Sequence, residues 1–266
     1  MAVIDAHAHI YPDKIAPKAV EAVGDFYNVG MFGDGTADGL LAAKDRAPIT
    51  HFIVHSVATT AHAVTAINDF IAKQCQAHPE FIGFAAMQQD FEDPAAELQR
   101  AVELGLRGVK LHPDTQKVDM DDPRLMEVYA ICEQLGLPVV IHTGDYRYDY
   151  SHPRRLKNIL RTFPDLVVDA AHFGCWSRYE VGYDILHEVA MNDRVFLDES
   201  SSQFFLGQRR TVELMWGTDR IMFGSDFPMW DPAAENRTLT TAGFTEDELE
   251  NILWHNAERF AGVKVE

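Results

Sequence analysis

The sequence predicts an α/β fold, a single (β/α)8 barrel over residues 1–266, and two observations carry that expectation. Eight short apolar or β-branched runs recur, at 3–8, 50–57, 81–88, 106–112, 137–142, 166–172, 195–199 and 221–226. From the second onward their starts lie 25–31 residues apart, the length of one strand, one crossover helix and two loops in a right-handed βαβ unit. The gaps between them carry apolar residues at three- and four-residue spacing, the period of a helix.

Taken in order, the first unit breaks the rhythm. Roughly forty residues separate the first run from the second, including a Gly- and Asp-rich stretch at 30–39. The expectation here is an extended loop after the first strand, lying over the barrel mouth as a lid or as a purely structural insertion. Further on, Asp93-Pro94 opens a helix, since Asp suits an N-cap and Pro the first turn. Its apolar positions Ala95, Leu98 and Val102 stop near Gly105. Asp122-Pro123 opens another, with Leu125, Val128, Ile131 and Leu135 on one face and Gly136 at its end. Ser151-His152-Pro153 begins a third, carrying Leu156, Ile159 and Leu160. The strands hold few polar residues, as expected of a parallel sheet covered on its outer face. Barrels of about 250 residues are routinely one domain, and neither a linker nor an internal repeat beyond the βα rhythm is visible.

Bulk properties narrow the class of partner. The net charge of −18, from 23 basic and 41 acidic residues, disfavours nucleic acid, which needs a clustered basic face. No run of about 18 apolar residues suggests a membrane span. The N-terminal residues lack the basic-then-apolar order of a secretory signal. Three scattered cysteines, Cys75, Cys132 and Cys175, favour free thiols in a reducing compartment. A cytoplasmic enzyme with a small-molecule substrate is the expectation.

In such a barrel the C-terminal ends of the strands build the active site, and alternate residues face inward. The first run supplies His7 and His9, two residues apart and therefore on one side. The second ends near His55, the fourth at His112, the fifth at His142, the sixth at His172 and the eighth at Asp226. One such histidine alone would be read as a satisfied core or surface residue. Six histidines and an aspartate at the same end of successive units point to metal chemistry, with nitrogen and oxygen donors that suit Zn²⁺ and also accept Mn²⁺, Fe²⁺ or Co²⁺.

Four segments carry a resemblance: Asp5-Ala6-His7-Ala8-His9, Ile141-His142-Thr143-Gly144, Ala171-His172-Phe173-Gly174 and Gly224-Ser225-Asp226-Phe227-Pro228. In this order, and with the tail Asn256-Ala257-Glu258-Arg259-Phe260, the chain resembles the amidohydrolase superfamily of TIM barrels over nearly its whole length. More narrowly it resembles the amidohydrolase-related branch that includes aminocarboxymuconate semialdehyde and resorcylate-type decarboxylases. The resemblance implies that His7, His9, His142 and Asp226 hold a divalent metal. It places His172 beside it, as a proton donor or, in two-metal members, as a ligand. A metal there acidifies bound water and polarises a carbonyl; Asp226 would take the water's proton and His172 would serve the leaving group. Enzymes of this kind are usually homo-oligomers.

Lys110 bears on the count of metals. Lys110 and His112 point the same way, which in the fourth strand is inward, and a buried lysine must be paired, neutral or modified. Its segment, Lys110-Leu111-His112-Pro113, resembles the setting of the carboxylated lysine in dihydroorotases, which would allow two ions. One ion is the leading expectation, and an unmodified Lys110 would anchor a substrate carboxylate. Arg147 is a second candidate to grip a carboxylate bidentately, its structural alternative being a pair with Asp145 or Asp149. Trp176 and Arg178 are either pocket-lining or surface residues. The leading function is hydrolysis of a small amide, ester or lactone by metal-activated water, and the alternative is non-oxidative decarboxylation of an unsaturated or aromatic acid. A non-catalytic metal- or ligand-binding barrel is the third reading.

Overall fold

In the computed structural model, which describes residues 2–176, 178–200, 202–204 and 206–265, the eight apolar runs become nine strands. They are β1 (Ile4–His9), β2 (His51–His55), β3 (Phe81–Gly83), β4 (Ala85–Ala86), β5 (Val109–Leu111), β6 (Val139–Ile141), β7 (Val168–Ala170), β8 (Val195–Asp198) and β9 (Ile221–Met222). The third run is split at Phe84. Every paired neighbour is parallel, in the orders β1-β2-β3 and β4-β5-β6-β7-β8-β9. Backbone hydrogen bonds cross both seams: Phe84 N donates to Val54 O and Ala85 N to Gly108 O, while Ala6 N donates to Phe223 O and Asp226 N to His7 O. The last two set Asp226 beside His7.

Side-chain alternation sorts the strands into two layers of core. Val109, Leu111, Val139 and Ile141 pack outward among helix residues such as Leu125, Val128, Leu156 and Ile159. The intervening Val140 joins Ile4, Ile53, Phe84 and Met222 inside. Lys110 is in register with Val140, so its side chain points into the barrel. Phe260, from the C-terminal helix Asn256–Ala261, stacks on Phe84 with ring centroids 5.7 Å apart and plugs the end away from the site. Asn256 anchors that helix through bonds from Nδ2 to Thr218 O and Ile221 O.

The helices start where Asp-Pro and His-Pro place them. Asp93 caps Pro94–Glu103 by accepting from Ala96 N, Asp122 caps Pro123–Leu135 through Arg124 N, and His152 caps Pro153–Thr162 through Arg154 N. Gly136 ends the second of these with φ +66°, a conformation that suits glycine. The segment after β1 is the extended insertion expected, but its first part is the helix Ala16–Tyr27 rather than loop. Ile15, Ala19, Ala22, Val23 and Phe26 form an apolar stripe at helical spacing, a signal that the glycine-rich residues beyond it obscured. No described helix is long and apolar enough to cross a membrane.

Beside the strand ends lies a second buried polar group. Arg209 donates to Glu199 (2.8 Å) and Glu213 (3.1 Å), with Glu235 facing it. Burial pushes Glu213 and Glu235 above the ordinary carboxylate range, against the pull of Arg209. A carboxyl that holds its proton more tightly folded than unfolded makes the native state lose stability as pH rises above its unfolded value of 4.5. Glu213→Gln should therefore flatten the fall in urea-unfolding stability as pH rises above 4.5, and an unchanged slope would reject this account.

Candidate active site

Three side chains meet at the mouth with the spacing of metal ligands. Nε2 of His7 and Nε2 of His9 are 3.3 Å apart, and Oδ1 of Asp226 lies 3.6 Å from the first and 3.4 Å from the second. Donor atoms about 2.1 Å from a tetrahedral zinc ion sit about 3.4 Å from one another. The other oxygen of Asp226 makes no hydrogen bond among the described residues. Asp5 sets the approach: it accepts from Ser225 N (2.9 Å), Ser225 Oγ (2.5 Å) and His7 N (3.2 Å), tying β1 to the loop that carries Asp226. Asp226 itself has φ +54°, a left-handed conformation that Asp tolerates better than most residues.

Asp198, at the end of β8, organises the rest. It accepts from His7 Nδ1 (2.6 Å), His172 N (3.1 Å), Ser200 N (3.1 Å) and the Ser200 hydroxyl. Burial opposes its charge, but His172, Asp169 and Ser200 outweigh that and hold the carboxyl below its usual range. The proton on His7 is thereby fixed at Nδ1 and Nε2 left bare toward the mouth. The pattern continues outward, assigning protons from hydrogen-bond geometry. His172 Nδ1 donates to Ser200 Oγ (2.7 Å), and His142 Nδ1 donates to His172 Nε2 (2.9 Å). His172 and Phe173 adopt φ of +61° and +54°, a strained pair costing about 1–3 kcal/mol each. Asp198 bonds to both backbone amides of that pair and so holds it.

Burial pushes His7 and His9 well below the ordinary imidazole range, and Lys110 adds to the effect. Both are then neutral, the form that ligates metal. Burial also brings Lys110 down to about 8, against Asp198, Asp226 and Asp169, and its Nζ lies 3.0 Å from His7 Nε2. The donor set fits a cation. Buried and without a hydrogen-bond partner are His9 Nδ1, His142 Nε2 and both ring nitrogens of His55, and an orphaned buried polar atom costs about 1–3 kcal/mol. His55 packs edge-on to His7 and His9, at 4.9 and 4.4 Å between centroids.

The remaining candidates fall into other places. His142 stacks on His112 at 4.0 Å, and its Nε2 is 3.4 Å from Asp114. Among the described residues it has no ligand-range contact with His7, His9 or Asp226, and it reaches them by way of His172. His112 accepts a long bond from Thr115 N at Nδ1 and donates from Nε2 to Tyr27 Oη (2.7 Å). Arg147 is turned from the expected carboxylate-gripping position. Its fork is closed on Asp145 (2.9 and 2.6 Å), it donates to Phe26 O, and it stacks over the Phe26 ring, so the structural alternative is the one seen. Trp176 is buried against Tyr27, at 4.8 Å between centroids, and Arg178 is exposed.

Sequence reasoning passed over Asp198, Ser200, Asp114 and Tyr27. Asp198 was within reach, because it is the second-last residue of the seventh apolar run and Asp226 is the last of the eighth; Tyr27 is brought in only by the insertion helix. The cavity above these groups measures about 520 Å³, with the histidines, Lys110 and Asp226 as its floor. Asp198→Asn keeps the shape of the side chain but removes the charge that fixes the His7 tautomer. Zinc affinity, read by competition with a chelator, should fall about 10- to 100-fold, and undiminished affinity would reject the orienting role.

Comparison with known proteins bears on the same residues. The Amidohydrolase family model matches residues 4–263. A 2-amino-3-carboxymuconate-6-semialdehyde decarboxylase from Dictyostelium discoideum is 25% identical over 242 residues, covering 74% of this chain and 66% of that protein, slightly under two thirds of its length. An uncharacterised TIM-barrel protein from Bordetella bronchiseptica superposes with a TM-score of 0.77 at 21% identity, covering 98% of this chain and 99% of that one. A Pseudomonas putida protein assigned as a 2-pyrone-4,6-dicarboxylic acid hydrolase gives 0.72 at 18% identity, covering 99% and 98%. At these identities the solved structures show the fold, a TIM barrel. The family model spans β1 to the C-terminal helix, and the chain belongs to the amidohydrolase family.

Proposed function

We propose that this chain is a metal-dependent hydrolase that cleaves a small ester, lactone or amide, using one divalent ion, with zinc the best match to the donor set. The observation that carries this reading is the trio His7, His9 and Asp226, whose donor atoms lie 3.3–3.6 Å apart while the second Asp226 oxygen is left unbonded. His142, with its bare Nε2, is proposed as the fourth ligand. The ion supplies Lewis acidity toward water and the substrate carbonyl.

The chain's own groups supply the proton movements. The unbonded oxygen of Asp226 accepts a proton from the attacking water. His172, held at Nδ1 by Ser200, takes up at its unprotonated Nε2 the proton that Asp226 has accepted from the water, and hands it to the leaving group. The Lys110 amine, beside His7, steadies negative charge developing on the carbonyl oxygen. A second reading, decarboxylation of an unsaturated or aromatic acid, is favoured by the decarboxylase relative. There the proton that replaces CO₂ would come from water by way of Asp226 and the unprotonated Nε2 of His172.

Protein purified without chelators should hold about one zinc-type ion per chain by plasma mass spectrometry; folded protein carrying none rejects the metal reading, and two ions reject the single-ion form with an unmodified Lys110. His172→Asn should retain the ion and lower kcat/KM about 10²- to 10⁴-fold. Loss of an ion in that variant would make His172 a ligand instead. A panel of esters, lactones and amides followed by acid release, run beside unsaturated and aromatic acids followed by CO₂, separates the two reactions. CO₂ release without any hydrolysis would replace the first reading by the second.

A further inference from the structure

The cavity walls do not match its floor. Two helices face each other across it. Ile15, Ala19, Ala22, Val23 and Phe26 run the length of the insertion helix from the residue before it, and Ala63, Ala66, Ile67 and Phe70 come from the start of Val64–Ala77 and the residue before it. Both sets follow the i, i+3, i+4, i+7 spacing of a stripe that a helix ordinarily buries. Here the stripes are only partly covered: Ile15 is 52% exposed, and Ala22 and Ala66 are exposed as well. Met31 and Met229 add to the apolar lining, and methionine adapts its shape to what it meets. Among the described residues the only formally charged side chains lining the cavity are Lys110 and Asp226, both at the floor. Arg147, stacked on the Phe26 ring, is already closed on Asp145.

We infer that the part of the substrate outside the ion's reach is an uncharged hydrocarbon tail, seated between these two helices. The inference rests on the proposed metal centre but not on which reaction it performs. A tail bearing a carboxylate would have to leave water without a partner, at a cost the cleft does not repay. A hydrocarbon tail gains from the burial of each methylene and covers two stripes that are otherwise wet. The cleft is continuous with the floor that holds His7, His9 and Asp226, so a tail in it leaves the head group at the ion.

Straight-chain hydroxamic acids, whose head groups grip a zinc ion, test this by titration calorimetry on the zinc-loaded enzyme. From acetohydroxamic acid upward the affinity should rise about three- to fourfold per added methylene until the cleft is full. An equal-length chain ending in a carboxylate should lose that gain. Ala66→Trp and Ala22→Trp each fill the cleft and should flatten the rise. Affinity that does not depend on chain length, or that is stronger for the carboxylate-ended chain, overturns the inference while leaving the metal centre standing. Trp variants that change the oligomeric state but not the length dependence also overturn it, since the cleft would then be a contact between copies of the chain. Failure of acetohydroxamic acid to bind at all removes the metal centre, and the inference with it.

Discussion

The arrangement at the barrel mouth depends on the hydrogen bond from His7 Nδ1 to Asp198. An imidazole has one proton to place when neutral, and the carboxylate decides where it goes. With that proton held on the β8 side, Nε2 of His7 faces His9, Asp226 and Lys110. Asp198 also takes the backbone amide of His172 and, through Ser200, fixes the proton on the His172 ring. One buried carboxylate thus orients two imidazoles on different strands, and through His172 it influences His142 as well. A single charge can do this because the surroundings are dry and its competitors are few.

Burying so many titratable groups in one place is expensive unless most are uncharged. Desolvation achieves that here by lowering the basicity of the histidines, and the same cause brings Lys110 down to about 8. At the mouth, nitrogens of His55, His142 and His9 are buried without a hydrogen-bond partner, donors that a cation would satisfy. Other buried groups are better satisfied, as with Gln116, whose side-chain amide reaches two backbone carbonyls.

The insertion after β1 changes the character of the pocket. A barrel mouth lined only by strand ends would be polar throughout, given what those ends carry. The helix Ala16–Tyr27 lays an apolar wall over one side, and it carries Tyr27, whose hydroxyl accepts from His112. Arg147 clasps the end of the same helix at Phe26. Its charge is spent on holding the wall in place.

The sequence by itself determined the barrel, the order of its units and the residues at the strand ends, because periodicity and N-cap chemistry are local and a repeating unit places its histidines by arithmetic. It also singled out Lys110 as inward-facing, since alternation along a strand is a local rule. Only the tertiary structure decided which of those side chains touch. The close approach of Asp226 to His7 and His9 needs the seam between the first and last strands, some 220 residues apart in the case of the Asp5–Ser225 bond. Likewise Asp198 looked like any acid at a strand end until β8 brought it beside His7, and the sequence left Arg147 open between a substrate carboxylate and a pair with Asp145 or Asp149 until the fold set Asp145 and the Phe26 carbonyl around it. Hydrogen bonds between residues distant in the chain are set by how the strands register, and no local pattern encodes that.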